Sequence, residues 1–101
     1  MQATSVGSTV RGRFAPTPSG RMHLGNVFSA LMAWLSARSV GGTLVLRIED
    51  LDPRAQRREV AELLMRDLEW LGLTWDEGPY FQSERTAIYR AAVDKLASQG
   101  L

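Results

Sequence analysis

The residues best suited to chemistry lie in one run, Arg11-Gly-Arg-Phe-Ala-Pro-Thr-Pro-Ser-Gly-Arg-Met-His-Leu-Gly-Asn26. It holds the chain's one histidine, His23, with Arg21 two residues before it. Pro16 and Pro18 fix φ and remove two backbone donors, so a strand entering this run must stop there. Gly20 and Gly25 permit close backbone approach or unusual dihedrals. A strand that passes through a tight turn into a helix start presents free N–H groups and a positive dipole end, a setting for phosphate. The run has the makings of a nucleotide site. A second set of candidates, Glu49, Asp50 and Asp52, follows the apolar stretch Thr43-Leu-Val-Leu-Arg-Ile48. By residue type alone these candidates are weak. Histidines at helix starts are more often solvated or capping than catalytic, and acids in a strand-end loop often simply face water.

The elements that must position these residues follow from pattern. Residues 1–9 are rich in Ser, Thr and Gly without periodicity and read as a loose leader. A first strand is expected over about Val10 to Ala15, where arginines alternate with small or apolar residues. Leu24 to Ser39 reads as a helix, with Val27, Phe28, Leu31, Trp34 and Leu35 forming one buried stripe at three-and-four spacing. Asn26 or Ser29 is a candidate for its N-terminal end, and Gly41-Gly42 stops it. Thr43 to Glu49 is the clearest strand, rich in branched residues and too apolar for a solvated edge. Strand, helix and strand in this order predict a right-handed βαβ unit with parallel strands. The C-terminal ends of its two strands then share one edge of the sheet, where ligands of open α/β sheets bind. Arg13, His23 and Glu49 should converge there.

Further along, Pro53 and a polar run start a second helix, from about Ala55 or Arg57 to Leu71, with Val60, Leu63, Leu64, Leu68 and Leu71 inside and Gly72 at its end. Thr74 to Gln82 is expected to be a loop turning at Gly78-Pro79. Ser83 is a candidate N-cap of a last helix whose core face is Ile88, Ala91, Ala92 and Leu96. Tyr89 and the three tryptophans, Trp34, Trp70 and Trp75, read as packing residues rather than base-stacking ones. No repeat, low-complexity segment or linker divides the chain, so residues 10–101 read as one domain built on a Rossmann-like βαβ unit.

Bulk properties exclude several classes. A chain of 101 residues can build one small domain with a modest core. Its 45% hydrophobic and 23% charged content is that of a globular protein, and a formal charge of +1 gives no global polyanion signal. Lys95 is the one lysine, and every other cation is arginine; a GC-rich genome accounts for this bias, although arginine also suits bidentate contacts with carboxylates and phosphates. Without cysteine and with one histidine, neither a disulfide nor a Cys- or His-built metal site is expected. No stretch is long and apolar enough to span a membrane, and none reads as a signal peptide, so a soluble cytoplasmic protein is the default.

The first run resembles the class I aminoacyl-tRNA synthetases, specifically their glutamyl branch. There the stretch reads Arg-Phe-Ala-Pro-Ser-Pro, then Ser or Thr, Gly, two variable residues and His-x-Gly, the last being the family's "HIGH" motif. His23-Leu24-Gly25-Asn26 matches it with Asn in the fourth place, a common variation in this branch. Arg47-Ile-Glu-Asp-Leu-Asp52 resembles the second strong motif. The resemblance implies an α/β fold, the N-terminal half of a class I catalytic domain, and ATP-dependent activation of L-glutamate to glutamyl-adenylate before transfer to tRNA. It implies that Arg13, Ala15 and Thr17 help hold glutamate, with Arg13 on a carboxylate and Glu49 on the α-amino group. It implies that His23, Gly25 and Asn26 serve catalysis, His23 donating to ATP phosphates, and that Pro16, His23 and Gly25 line the ATP site. ATP would come with Mg2+, and zinc belongs to a part of the family domain not represented here. The segment from Asp76 to Arg85 also looks like the family and implies structure near the tRNA acceptor end.

Glu49-Asp-Leu-Asp-Pro-Arg54 and Thr17-Pro-Ser-Gly20 are closer to the shortened relatives, the glutamyl-queuosine tRNA(Asp) synthetases, than to true glutamyl-tRNA synthetases, which typically read Glu-Asp-Thr-Asp. Transfer to the queuosine base of tRNA(Asp) is therefore the favoured expectation, and tRNA(Glu) the alternative. The resemblance runs from Arg11 onward but lacks the K-M-S-K-S-type loop that clamps ATP, so the chain is expected to be a fragment, inactive by itself. The alternatives from other classes are a non-catalytic interaction module, dimerising through an uncovered sheet edge, and a different adenylyl-transfer enzyme. Arg47-Ile-Glu-Asp50 argues against the last.

Overall fold

The strand β2 (Thr43–Ile48) is the centre of a three-stranded sheet. Its branched and apolar residues alternate faces as a pleated strand requires: Leu44, Leu46 and Ile48 are buried, while Val45 and Arg47 are half-exposed on the other face. Burial of each of these three large side chains contributes about 1.5–3 kcal/mol. The computed structural model describes residues 9–101. The expected leader therefore lies outside the described residues except for Thr9, which belongs to no element.

The elements run β1 (Arg11–Phe14), α1 (Leu24–Arg38), β2, a 3-10 turn (Pro53–Ala55), α2 (Arg58–Trp70), β3 (Glu77–Phe81), a second 3-10 turn (Gln82–Glu84) and α3 (Thr86–Ser98). The sheet order is β1-β2-β3 and both pairings are parallel. Arg11 pairs with Thr43 and Phe14 with Leu46, so both strands end on the same edge, as the βαβ pattern predicts. The third strand corrects the expectation of a loop over Thr74–Gln82. Gly78 and Pro79 look like a turn in sequence, yet here they form an irregularity in the β2–β3 register, between the pairs Val45–Glu77 and Arg47–Tyr80. Gly78 has φ +96°, and a Cβ there would stand 2.3 Å from the Leu46 carbonyl oxygen, so only glycine fits this approach.

Helix α1 packs on the sheet with its small residues. Ala30 and Ala37 are buried, and a Cβ added at Gly12 of β1 would meet Ala37 Cβ at 3.3 Å. The expected stripe is thereby corrected: Phe28 is 62% exposed, Leu31 and Leu35 are also exposed, and Val27 and Trp34 are half-buried. The sequence of α1 is apolar on several sides, so periodicity does not decide which side is covered. Close approach through alanine and glycine decides it. In α2 the buried residues are Ala61, Leu64 and Leu68, with Val60 and Leu63 half-buried and Leu71 exposed. Gly72 ends α2 as expected: its N–H bonds Glu69 O at 3.0 Å while the Leu73 N–H reaches Leu68 O at 2.9 Å, a Schellman pattern that turns Leu73 into the core.

Helix α3 departs most from expectation. Ser83 does not cap it; the helix begins after Arg85 without a side-chain cap. Its expected core face, Ile88, Ala91, Ala92 and Leu96, is exposed. Trp34 and Trp75 pack against the core, but Trp70 is 85% exposed and packs little. Among the described residues, no helix is long and apolar enough to cross a membrane.

Candidate active site at the strand ends

The loop after β1 is held against the end of β2 by its backbone. The Glu49 N–H donates to Pro16 O at 2.9 Å, and Pro16 and Pro18 are buried. The prolines thus do more than end the strand, since they are packed surface that fixes the loop. His23 then caps α1. Its extended backbone precedes the first helical residue, and its Nδ1 accepts from the Gly25 N–H at 3.1 Å. Asn26 completes a capping box, its Oδ1 accepting from the His23 N–H at 3.3 Å. The cap itself is His23, which sequence reasoning did not name, and of its two candidates Asn26 supports the cap from the third helical position.

This cap has a chemical consequence. A neutral imidazole whose Nδ1 accepts a hydrogen bond carries its proton on Nε2. His23 is exposed, so Nε2–H is free to donate outward at the positive end of the α1 dipole. Gly25 keeps the ring in place by having no side chain: a Cβ there would lie 3.1 Å from His23 Cε1 and 3.2 Å from Nδ1.

A cavity of about 540 Å³ brings Arg13, Ala15, Pro16, Thr17, His23, Asn26 and Glu49 together, with Ser19 and Ser29 also on its wall. Of the residues that the family resemblance assigns to the site, all but Gly25 line it, whereas Asp50 and Asp52 do not. Gly25 stands behind the His23 ring. Arg13 and Glu49 form an ion pair, Nη2 to Oε2 at 3.4 Å, with both side chains partly exposed. Arg21, by contrast, is turned away. Its guanidinium forms a fork on Asp67 of α2 at 2.6 and 2.9 Å, so it braces the loop rather than the cavity, and Asp67 raises its pKa above the ordinary arginine value.

The three acids of the second motif separate into three roles. Glu49 faces the cavity. Asp50, 5% exposed, points to the buried face, where its carboxylate accepts from the Ser83 N–H and the Ser83 hydroxyl, both at 2.8 Å. Asp52 caps the first 3-10 turn, accepting from the Arg54 N–H at 2.9 Å, and the Arg54 guanidinium beside it holds its carboxyl below the usual range. The inward turn of Asp50 and the shared face of Arg47 and Glu49 were readable from strand alternation. The partner of Asp50 was not, because it arrives from 33 residues away. Arg47 also reaches Glu49, Nε to Oε2 at 3.5 Å, a contact that sequence reasoning left without a role.

Among the described residues no group of three or more His, Cys, Asp or Glu side chains is placed to hold a metal. Magnesium accompanying ATP would rely on the phosphates and water for most of its ligands.

Residues 9–101 match the family model of the class I tRNA synthetases (E and Q), catalytic domain. The chain belongs to this family. It is 51% identical over 98 residues to glutamate–tRNA ligase 2 of Koribacter versatilis, covering 97% of this chain and 20% of that protein. It is 54% identical over 97 residues to the glutamyl-Q tRNA(Asp) synthetase of Symbiobacterium thermophilum, covering 88% of this chain and 30% of that relative. The crystal structure of a glutamate tRNA ligase from Elizabethkingia meningosepticum, in complex with its amino acid, superposes with a TM-score of 0.81 at 38% identity, covering 90% of this chain and 20% of that one. The chain thus spans 20% to 30% of the length of these relatives. The α/β fold with a parallel sheet is the fold of this synthetase family.

Proposed function

We propose that residues 10–101 supply the glutamate and ATP-phosphate contacts of a cytoplasmic glutamate-activating synthetase. The observation that carries this reading is the convergence of Arg13, His23 and Glu49 on one cavity at the strand ends. Arg13 takes the side-chain carboxylate of L-glutamate, Glu49 accepts from its ammonium group, and Ala15 and Thr17 line the same wall. An oxygen of the α-carboxylate attacks the α-phosphorus of ATP. The bond to the bridging oxygen breaks, and pyrophosphate leaves with the electron pair. His23 Nε2–H donates to a phosphate oxygen as charge builds there, with Asn26 and Gly25 fixing the ring and Pro16 the wall beside it. Catalysis is then by position and electrostatics, without a protein nucleophile. The Elizabethkingia ligase, crystallised with its amino acid, supports glutamate as the substrate.

For the acceptor, Glu49-Asp-Leu-Asp-Pro-Arg54 favours the queuosine base of tRNA(Asp). Transfer to tRNA(Glu) is the second reading, favoured by the Koribacter relative's name. The test is glutamate-dependent ATP–pyrophosphate exchange by the product of the complete reading frame, followed by charging of queuosine-containing tRNA(Asp) and of tRNA(Glu). E49A should raise the KM for glutamate about 10- to 100-fold, the value of a hydrogen bond between charged groups, with the KM for ATP little changed. H23A should chiefly lower kcat. An unchanged glutamate KM in E49A, or no exchange by the wild type, would overturn the reading.

A further inference from the structure

The Arg13–Glu49 ion pair poses a problem for the site just proposed. When glutamate arrives, Arg13 must leave Glu49 for the substrate carboxylate, and Glu49 must keep its place without it. A second cation is already there. Arg47, two residues before Glu49 on β2 and so on the same face, places Nε 3.5 Å from Glu49 Oε2. Its side chain is the more enclosed of the two arginines, 23% exposed against 59% for Arg13.

Arg47 is in turn oriented from outside the sheet. Its Nη2 donates to the hydroxyl of Tyr89 on α3 at 2.7 Å, and the guanidinium carbon lies 5.7 Å from the centroid of the Tyr89 ring. The base of α3 is fastened beside the same strand end, because Ser83 just before it is held by Asp50. The shortest contact of each guanidinium with Glu49 is to Oε2, and among the described residues no hydrogen bond ends on Oε1. Oε2 is held, and Oε1 has no hydrogen-bond donor.

We propose that Arg47, oriented by the Tyr89 hydroxyl, is a positioning residue for glutamate binding. It retains Oε2 of Glu49 when Arg13 swings to the substrate, and so leaves Oε1 for the ammonium group. Helix α3, otherwise exposed, thereby acts on substrate affinity through one hydroxyl. This inference rests on the glutamate reading of the site.

The test compares Y89F, R47Q, R47K and E49A in the product of the complete reading frame. Y89F keeps the ring over the guanidinium and removes only the acceptor. It should raise the glutamate KM about three- to tenfold, the worth of one hydrogen bond, with the KM for ATP, kcat and thermal midpoint close to wild type. R47Q should raise it further, and R47K should recover part of the loss because its ammonium reaches the carboxylate without the fork. A merely structural role would move both KM values or the midpoint together. If E49A raises the glutamate KM while Y89F and R47Q leave it unchanged, the positioning role is wrong and the site stands. If E49A leaves it unchanged, the site itself is wrong.

Discussion

Removing the carboxylate of Asp50 should be the most damaging single change at the strand ends. Asp50 is 5% exposed and accepts two hydrogen bonds from Ser83, each 2.8 Å long. In D50A the Ser83 N–H loses its acceptor in a part-buried place, and the space of the carboxylate is left unfilled. A lost bond to a charged acceptor costs about 1.5–3 kcal/mol, and an unsatisfied donor adds to it. We therefore expect a total loss of about 3 kcal/mol, which for a domain of this size lowers the thermal midpoint by roughly 10–20 °C. S83A removes only the hydroxyl bond to this carboxylate and should cost about 1.5 kcal/mol. D50N should fall between, since its amide oxygen still accepts from the N–H and its NH2 can donate to the hydroxyl. Urea unfolding of the wild type, D50A, S83A and the double variant forms a cycle with an expected coupling of about 1 kcal/mol. A D50A loss below about 0.5 kcal/mol, or no coupling with S83A, would show that the Asp50–Ser83 contact does not hold the turn before α3 to the sheet.

Two other changes separate stability from chemistry. In G25A the new Cβ lies 3.1 Å from the His23 ring and must displace it, while alanine suits the helix better than glycine by up to about 1 kcal/mol. Pyrophosphate exchange should therefore slow about tenfold in kcat without loss of stability, whereas a raised KM for ATP at unchanged kcat would assign Gly25 to nucleotide space instead. Asp76 accepts from Arg38 at 2.6 Å and from the Leu44 N–H at 2.7 Å, and these bonds, the Arg38 one foremost, lower its pKa below 3.8. A depressed carboxyl contributes stability that is full above 3.8 and fades as pH falls through the lower folded value. The deficit of D76N, about 1 kcal/mol at pH 7 after allowance for its partial exposure, should accordingly shrink in urea unfolding at pH 2–3. A deficit independent of pH would contradict the assignment.

How much of this was legible in the sequence depended on whether a signal was local. The end of β1 just before Pro16, the span of α1 to within a residue, the apolar strand β2 and the stop at Gly72 all follow from residues adjacent in sequence. The grouping of Arg13, His23 and Glu49 required only the parallel βαβ topology. What failed depended on partners. Gly78-Pro79 has the chemistry of a turn, yet Val45, Arg47 and Ile48 of β2 supply the pairing that makes β3, with Gly78 fitted against the Leu46 carbonyl. Phe28, Leu31 and Leu35 have the spacing of a buried face, but Ala37 facing Gly12 gives the closer approach to the sheet. Ser83 has the chemistry of a cap, and Asp50 uses it first.

In the proposed reading, the pairing of Arg13 with Glu49 keeps the site ready for its amino acid at little cost. Each group is meant for an opposite end of the same amino acid, and until it arrives they neutralise one another. The pair is long, at 3.4 Å, and partly exposed, so opening it costs no more than about 1 kcal/mol. Glutamate replaces one ion pair with two, its side-chain carboxylate on Arg13 and its ammonium on Glu49, and its α-carboxylate brings one further negative charge into the pocket. A substrate with only one of these groups would open the pair and leave a charge without a partner, a penalty larger than the contact it gains. Discrimination between amino acids then arises from the pairing itself, provided Glu49 does not follow Arg13 outward. The guanidinium of Arg47 stands where it can prevent that.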